Sequence, residues 1–131
     1  MSLTPEQRDQ LEAVNLRINA IPYNALMGRD EPADMWTDTP LAGESFVCRD
    51  YVLDKAKELQ ADGWPHDSMT VVICWTETDE RHAVLAVETG DPSPMILDSR
   101  FDEIYRMDAP LAPYRWEARQ IAGTTEFKPL A

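Results

Sequence analysis

The chain has 131 residues, enough for one hydrophobic core, and we expect a single domain over residues 1–131. Its formal net charge of −12 argues against nucleic-acid binding, because neutralising phosphates needs clustered Lys and Arg. No apolar stretch approaches the ~20 residues that a bilayer requires, so we expect no membrane span. The acidity suits a solvated surface, or one that meets a basic or neutral substrate patch.

The N-terminus carries no recognisable export signal. Residues 1–12 have neither the basic segment nor the apolar segment of a secretory signal peptide. We therefore expect a cytoplasmic location, or a periplasmic or exported one if the natural N-terminus has been trimmed. The two cysteines are too few for a disulfide framework and show no metal-ligand spacing.

Residues 4–22 have the pattern of an amphipathic helix. Thr4 can cap it, Pro5 suits the first turn, and Gln7 completes a capping box. The apolar residues recur at helical spacing until Pro22 ends the pattern: Leu11, Val14, Ile18 and Ile21.

Residues 23–45 are rich in Pro, Asp, Gly and Thr, and predict an ordered loop that wraps the domain. Met35 and Trp36 are its apolar anchors. A loop of this length is usually functional or disordered, and the aromatic anchor favours a function.

A second helix is predicted from about Phe46 to Asp62, with Gly63 as its C-terminal stop. The helical period places an apolar stripe beside a charged face: Tyr51, Val52, Lys55, Ala56 and Leu59. Cys48 lies at the start of this helix.

The period then changes to that of strands. Residues 69–76, 82–88 and 95–98 are β-branched or apolar runs separated by turn residues, which predicts an antiparallel meander. A further strand at 114–121 is expected to close the sheet. Because the helices precede the strands, the fold class is α+β, with the Cys48 helix packed on an antiparallel sheet.

Cys48 is the candidate nucleophile. The unpaired N–H groups at a helix start favour an anion, and a thiol placed there has a lowered pKa. The alternative is a core cysteine on an amphipathic helix. Cys74 lies inside the predicted strand 69–76, where we expect an inert, buried side chain.

His82 and Asp98 are the candidate base and its orienting carboxylate. His82 opens one apolar run and shares a face with Val84 and Ala86, which we expect to point at the packed helix. Asp98 closes the next run, where burying a carboxylate is costly without a partner. In a hairpin the two can face each other and complete a Cys-His-Asp site. The alternative for His82 is a strand-entry histidine bonded to backbone.

Two groups of motifs resemble those of the bacterial transglutaminase-like cysteine peptidases. One group comprises 47–51 (Val-Cys-Arg-Asp-Tyr) with Lys55, 82–87 (His-Ala-Val-Leu-Ala-Val) and 96–98 (Ile-Leu-Asp). The other comprises Val14-Asn15, Ile18-Asn19, Tyr23 and 34–40 (Asp-Met-Trp-Thr-Asp-Thr-Pro). The resemblance spans roughly residues 10–105. It implies a papain-like α+β fold with a catalytic triad on Cys48, His82 and Asp98.

The best-known branch of that family, the LapG-type peptidases, cleaves cell-surface adhesins in the periplasm and is regulated by calcium. Acidic residues flank the cysteine in that branch and help to bind the ion. Here the flanks are Val47 and Arg49, of which the first cannot ligate a hard cation and the second repels it. We therefore expect no cofactor and no metal. Arg49 is either a partner of the Cys48 thiolate or a solvated side chain.

The expected function is that of a cysteine hydrolase of amide bonds, most simply a peptidase acting on a protein or peptide substrate through a thioester. The Cys48 N–H would supply one oxyanion donor and the 34–45 loop a second, with Trp36 as a candidate for that donor, a cleft wall or a core anchor. Transamidation and an inactive, peptidase-like binding module stay open as alternatives. The sequence carries no indication of oligomeric state.

Overall fold

The computed structural model describes residues 4–20, 47–90, 93–109, 114–122 and 126–130. In these residues, helix α1 (Pro5–Asn19) and helix α2 (Val47–Ala61) come first. The expected capping box opens α1, where Gln7 N donates to Thr4 Oγ1 at 3.1 Å and Thr4 N donates to Gln7 Oε1 at 3.0 Å. No described helix is both long and apolar enough to cross a membrane.

Gly63 ends the α2 region as the sequence predicts. Its φ of 100° lies in the left-handed region, which glycine adopts without a Cβ penalty. Trp64 N donates to the Leu59 carbonyl at 3.0 Å across this turn, which satisfies a carbonyl of the last helical turn. A short 3-10 turn, His66–Ser68, then leads into the sheet.

The sheet has six antiparallel strands in the described residues. They are β1 (Met69–Trp75), β2 (Arg81–Val87), β3 (Met95–Leu97), β4 (Tyr105–Arg106), β5 (Arg115–Gln120) and β6 (Phe127–Pro129). Their spatial order is β4-β3-β2-β1-β5-β6. The α+β class and the meander are confirmed. The strand expected to close the sheet, β5, pairs with β1 and is itself followed by β6, so it is not an edge.

The sheet is buried on both faces. One cluster joins the sheet to α1 and α2, and it includes Val71, Ile73, Ala83, Leu85 and Leu97 from the strands. A second cluster lies on the opposite face: Val72, Cys74, Val84, Ala86, Ile96, Tyr105 and Tyr114. This second face corrects one expectation. His82 does alternate with Val84 and Ala86, but these two residues pack on the face away from the helices.

The pairing of β1 with β5 contains a β-bulge. Ile73 stands opposite Ala118, whereas the next residue of β1, Cys74, stands opposite Trp116, so the register passes over Glu117. An extra residue of this kind reverses the alternation of side chains along the strand. Trp116 therefore packs with the second cluster although it lies two residues from Ala118. Trp75 Nε1 donates to Glu117 Oε1 at 2.8 Å across the bulge.

Candidate active site

His82 and Asp98 meet inside the protein, as the sequence predicts. His82 is the second residue of β2, and Asp98 directly follows β3, the neighbouring strand. The His82 Nε2 and Asp98 Oδ1 atoms are 2.8 Å apart, with side-chain exposures of 8% and 0%. The antiparallel pairing of these two strands therefore places an imidazole directly against a fully buried carboxylate.

Four hydrogen bonds surround the Asp98 carboxylate. Oδ1 accepts from Arg100 N at 2.9 Å as well as from His82. Oδ2 accepts from the hydroxyls of Tyr105 at 2.8 Å and Tyr114 at 2.9 Å. An ionised carboxylate is an acceptor only, and these donors satisfy a charge that would otherwise be costly to bury.

The environment keeps Asp98 ionised. Burial raises the pKa of the Asp98 carboxyl, but the hydrogen bond and charge of His82, the Arg100 N–H and the Tyr105 hydroxyl together outweigh it and hold that pKa below its ordinary value. Burial and the neighbouring Asp98 charge raise the pKa of both Tyr105 and Tyr114. Both phenols are therefore protonated donors at neutral pH, while Asp98 is an anion.

Helix α1 holds the loop that carries Asp98. Asn19 Nδ2 donates to the Asp98 carbonyl at 3.0 Å and to the Phe101 carbonyl at 3.1 Å. One turn earlier, Asn15 Nδ2 donates to the carbonyls of Phe101 and Asp102 at 2.9 and 3.1 Å. The two amides lie four residues apart, on one face of α1. They therefore fix the backbone of the segment 98–102 to the helix.

The ion pair between Arg100 and Glu77 extends the hydrogen-bond network of Asp98 to the surface. Arg100 binds both carboxylate oxygens of Glu77 in the turn between β1 and β2. Its Nη1 also donates to the Tyr114 hydroxyl at 3.3 Å, and its guanidinium lies 5.5 Å from the centre of the Tyr114 ring. The Tyr114 ring in turn lies 5.5 Å from that of His82. Tyr114 thus bridges the exposed ion pair and the buried His82–Asp98 pair.

Cys48 is the second residue of the described helix α2. Its side chain lies outside the described part of the chain, as does Trp36 together with the rest of the 34–45 loop. Cys74 is fully buried, and its Sγ lies 3.6 Å from the His82 carbonyl oxygen, to which it donates. That placement agrees with the expectation of a core thiol.

Lys55 lies on α2, two helical turns beyond Cys48. Its side chain is 0% exposed, and its Nζ has no hydrogen-bond partner among the described residues. Burial lowers the pKa of the Lys55 amine from its ordinary 10.5 to about 7, and the negative charge of Asp98 partly opposes this effect. A titratable amine therefore lies within electrostatic reach of Asp98.

Sequence reasoning missed three contributors to this site: Tyr105, Tyr114 and the Arg100 backbone. Tyr105 belongs to a strand of two residues, too short for any periodicity. Asn15 and Asn19 did carry a signal, since Asn15 is buried and Asn19 half-buried on an amphipathic helix, where an amide needs acceptors. Within the described ranges, no group of three or more His, Cys, Asp or Glu side chains could hold a metal ion.

Comparisons with known proteins identify the family and the fold of the chain. The family model of the bacterial transglutaminase-like cysteine proteinases (BTLCP) matches residues 1–127. The calcium-bound structure of Legionella pneumophila LapG is similar with a TM-score of 0.63 and 23% identity, covering 91% of this chain and 67% of that chain. The EGTA-treated LapG structure gives 0.60 and 23%, covering 93% and 71%.

At this identity the structures show a shared fold, and the expected transglutaminase-like arrangement is confirmed. A third LapG structure, with a TM-score of 0.61 and 23% identity, covers 86% of this chain and 64% of its own. This chain thus spans about two thirds of the length of the LapG chains. No curated protein sequence matches it significantly.

Proposed function

Because the chain belongs to the bacterial transglutaminase-like cysteine proteinases and is a cysteine peptidase-like enzyme, we propose that it hydrolyses amide bonds in a protein or peptide substrate with Cys48, His82 and Asp98 as its catalytic triad. The observation that carries this proposal is the buried contact between His82 and Asp98. A base and its orienting carboxylate are the two parts that a cysteine nucleophile needs beside it.

The hydrogen bonds of Asp98 assign the protons in this mechanism. Because Asp98 is an ionised acceptor, the Nε2 of His82 must donate to it, which leaves the lone pair of a neutral His82 on Nδ1. Nδ1 is therefore the atom that accepts the thiol proton of Cys48. The thiolate sulfur attacks the substrate carbonyl carbon, and the C–N bond breaks as His82 returns that proton to the leaving amine. Water then hydrolyses the thioester and restores the thiol.

The start of α2 supplies the electrostatic part of the mechanism. The Cys48 N–H lies in the first described turn of the helix and would donate to the oxyanion that forms on the carbonyl oxygen. A donor of this kind contributes roughly 3–4 kcal/mol to transition-state stabilisation in comparable sites. We assign the second donor to the 34–45 loop, with Trp36 as the candidate.

Transamidation is the second candidate function. It would use the same acylation step, because only the nucleophile that resolves the thioester differs, an amine instead of water. Adding a primary amine to the reaction distinguishes the two, since a transamidase incorporates it and a peptidase releases a carboxylate. A non-catalytic binding module is disfavoured because the buried His82–Asp98 pair has its full set of donors.

Iodoacetamide should alkylate Cys48 before Cys74 when the native protein is treated at about pH 7. Cys74 is fully buried, whereas a helix start favours the reactive thiolate at Cys48. Peptide mapping gives the order of labelling, and Cys48→Ala and Cys74→Ala identify each modified peptide. Equal or faster labelling of Cys74 would contradict the assignment of the nucleophile.

We also propose that the reaction needs no calcium, because Val47 and Arg49 flank the nucleophile with an apolar and a cationic side chain. Thermal unfolding should give the same midpoint with micromolar calcium as with a chelator. Restoring acid at both flanks, in a Val47→Asp/Arg49→Glu variant, gives a positive control for calcium binding. A clear rise of the unfolding midpoint with calcium in the parent protein would show that Val47 and Arg49 do not prevent calcium binding.

A further inference from the structure

Both oxygens of Asp98 are occupied, but by donors of different kinds. Oδ1 faces His82 and the backbone of Arg100, while the donors to Oδ2 among the described residues are the two phenol hydroxyls, Tyr105 at 2.8 Å and Tyr114 at 2.9 Å. These tyrosines come from separate elements, since Tyr105 opens β4 and Tyr114 directly precedes β5. Two donors that approach one oxygen from different strands fix the rotation of the carboxylate about its Cβ–Cγ bond.

We propose that Tyr105 and Tyr114 are positioning residues of the reaction, whose hydroxyls hold Asp98 ionised and turned so that Oδ1 meets His82 Nε2. This inference rests on the proposed function and adds two residues that act on the substrate only through Asp98. Without them, a carboxylate that is 0% exposed would keep His82 and one backbone N–H as its donors. It would then be less well compensated and free to rotate.

Arg100 makes Tyr114 the more strongly directed donor. Its Nη1 donates to the Tyr114 oxygen at 3.3 Å, so this oxygen accepts from one side while its own proton points to Asp98. The cation also stabilises negative charge on the phenol, which strengthens it as a donor. Glu77 holds the guanidinium in place from the surface. The orientation of the Tyr114 hydroxyl is therefore set on both sides.

The expected pH effect follows from the groups around Asp98. They are His82 from β2, the Arg100 N–H, Tyr105, Tyr114, the neutral amide of Asn19 from α1, and Lys55 from α2, which acts by charge. Removing the Tyr105 hydroxyl removes a contribution that lowers the pKa of Asp98. Removing the Tyr114 hydroxyl removes a second hydrogen bond to the same ionised oxygen, which acts in the same direction. Asp98 will then take up its proton at a higher pH, and the acid limb of activity should move upward.

The test measures the rate at which an activated ester acylates Cys48, as a function of pH, in Tyr105→Phe and Tyr114→Phe. Each variant should react roughly three- to thirtyfold more slowly at neutral pH, a smaller loss than that expected for Asp98→Asn, because the other hydroxyl still holds the charged carboxylate. Tyr51→Phe is the matched control, since Tyr51 is half-buried on α2 and makes no hydrogen bond to Asp98. It should react at the parental rate.

A double-mutant cycle separates positioning from a general structural role. In an Asp98→Ala background, either Tyr→Phe change should alter the rate by less than about twofold, because both hydroxyls act through the missing carboxylate. Losses that persist unchanged in that background would overturn the proposal. So would parental rates and pH profiles in both single variants.

A second measurement does not require an active variant. The chain contains two histidines, so the Hε1 signals of His82 and His66 can be followed by NMR through a pH titration. At low pH the His82 signal should shift when the neighbouring Asp98 takes up its proton. In either Tyr→Phe variant this shift should occur at higher pH than in the parent, while the signal of His66 should be the same in variant and parent. An unmoved inflection would also overturn the positioning role. Failure of the triad itself would look different, because His82→Ala would then react as fast as the parent.

Discussion

His82→Ala is expected to abolish acylation of Cys48, whereas Asp98→Asn should slow it by roughly ten- to a thousandfold. Without His82 the proposed site loses the group that we assign to accept the thiol proton and to protonate the leaving amine. Asparagine at position 98 removes the charge that requires His82 Nε2 to donate, so the imidazole can adopt the tautomer with its proton on Nδ1. In a serine protease the equivalent change lowers turnover about ten-thousand-fold. A thiolate–imidazolium pair depends less on its third member, so the loss should be smaller.

The decisive measurement is the second-order rate of acylation by an activated ester or peptide probe, with circular dichroism to show that each variant is folded. Cys48→Ala, which lacks the thiol, gives the background signal of the acylation assay. His66→Ala is the matched control for histidine loss, because His66 lies in the 3-10 turn before β1 and should leave the rate unchanged. If His82→Ala and Asp98→Asn both react at the parental rate, the triad assignment is wrong.

Lys55→Met is expected to stabilise the protein by about 4 kcal/mol at pH 7. The unfolded chain protonates Lys55 below its ordinary pKa of 10.5, whereas the folded chain does so only below about 7. The lysine therefore weakens folding across the neutral range, by about 1.4 kcal/mol for each pH unit between the two values. Methionine has a similar length and needs no hydrogen-bond partner, so it removes this cost.

The sign of the pH dependence makes this prediction specific. Between about pH 7 and 10.5 the unfolded state binds more protons at Lys55, so the parent gains stability as pH rises through that window. The advantage of Lys55→Met should thus shrink to roughly 1.5 kcal/mol at pH 9.5. Urea unfolding at the two pH values measures both quantities. Lys57→Met, at an exposed position of the same helix, should change stability by less than ~0.5 kcal/mol.

A lower stability of Lys55→Met at pH 7 would contradict the prediction and indicate that the Lys55 amine has a partner which methionine cannot replace. Reduced acylation in a more stable variant would have a different meaning. It would show that the buried amine of Lys55 supports acylation through its charge near Asp98 while it lowers the folding stability, as titratable groups at active sites often do.

The contact between His82 and Asp98 could be predicted because it follows from two simple rules. Apolar runs separated by turn residues form hairpins, and polar residues at the ends of adjacent runs then become neighbours. The face of the sheet could not be predicted in the same way. Alternation groups His82 with Val84 and Ala86, but it does not say which side the helices cover when both sides are buried.

The tyrosines illustrate a different limit. Tyr105 and Tyr114 reach Asp98 through pairings of β4 with β3 and of β5 with β1, which join distant or very short segments. No local pattern encodes such pairings. The burial of Lys55 was not predicted, although its position in the α2 stripe was. Lys55 occupies a core-facing position of the α2 stripe, where a lysine is anomalous, and the structure explains that anomaly as a buried amine near Asp98.

The bulge in β5 makes the number of residues in that strand as important to the site as their identity. Tyr114 shares the face of Asp98 because the register passes over Glu117 between Trp116 and Ala118. If the same residues paired regularly, without the bulge, Tyr114 would turn toward the helices although every member of the proposed triad would be intact. Deleting Glu117 would instead remove the bulge and leave Tyr114 on its present face, so a one-residue gap at this point in a related sequence is compatible with the same hold on its carboxylate.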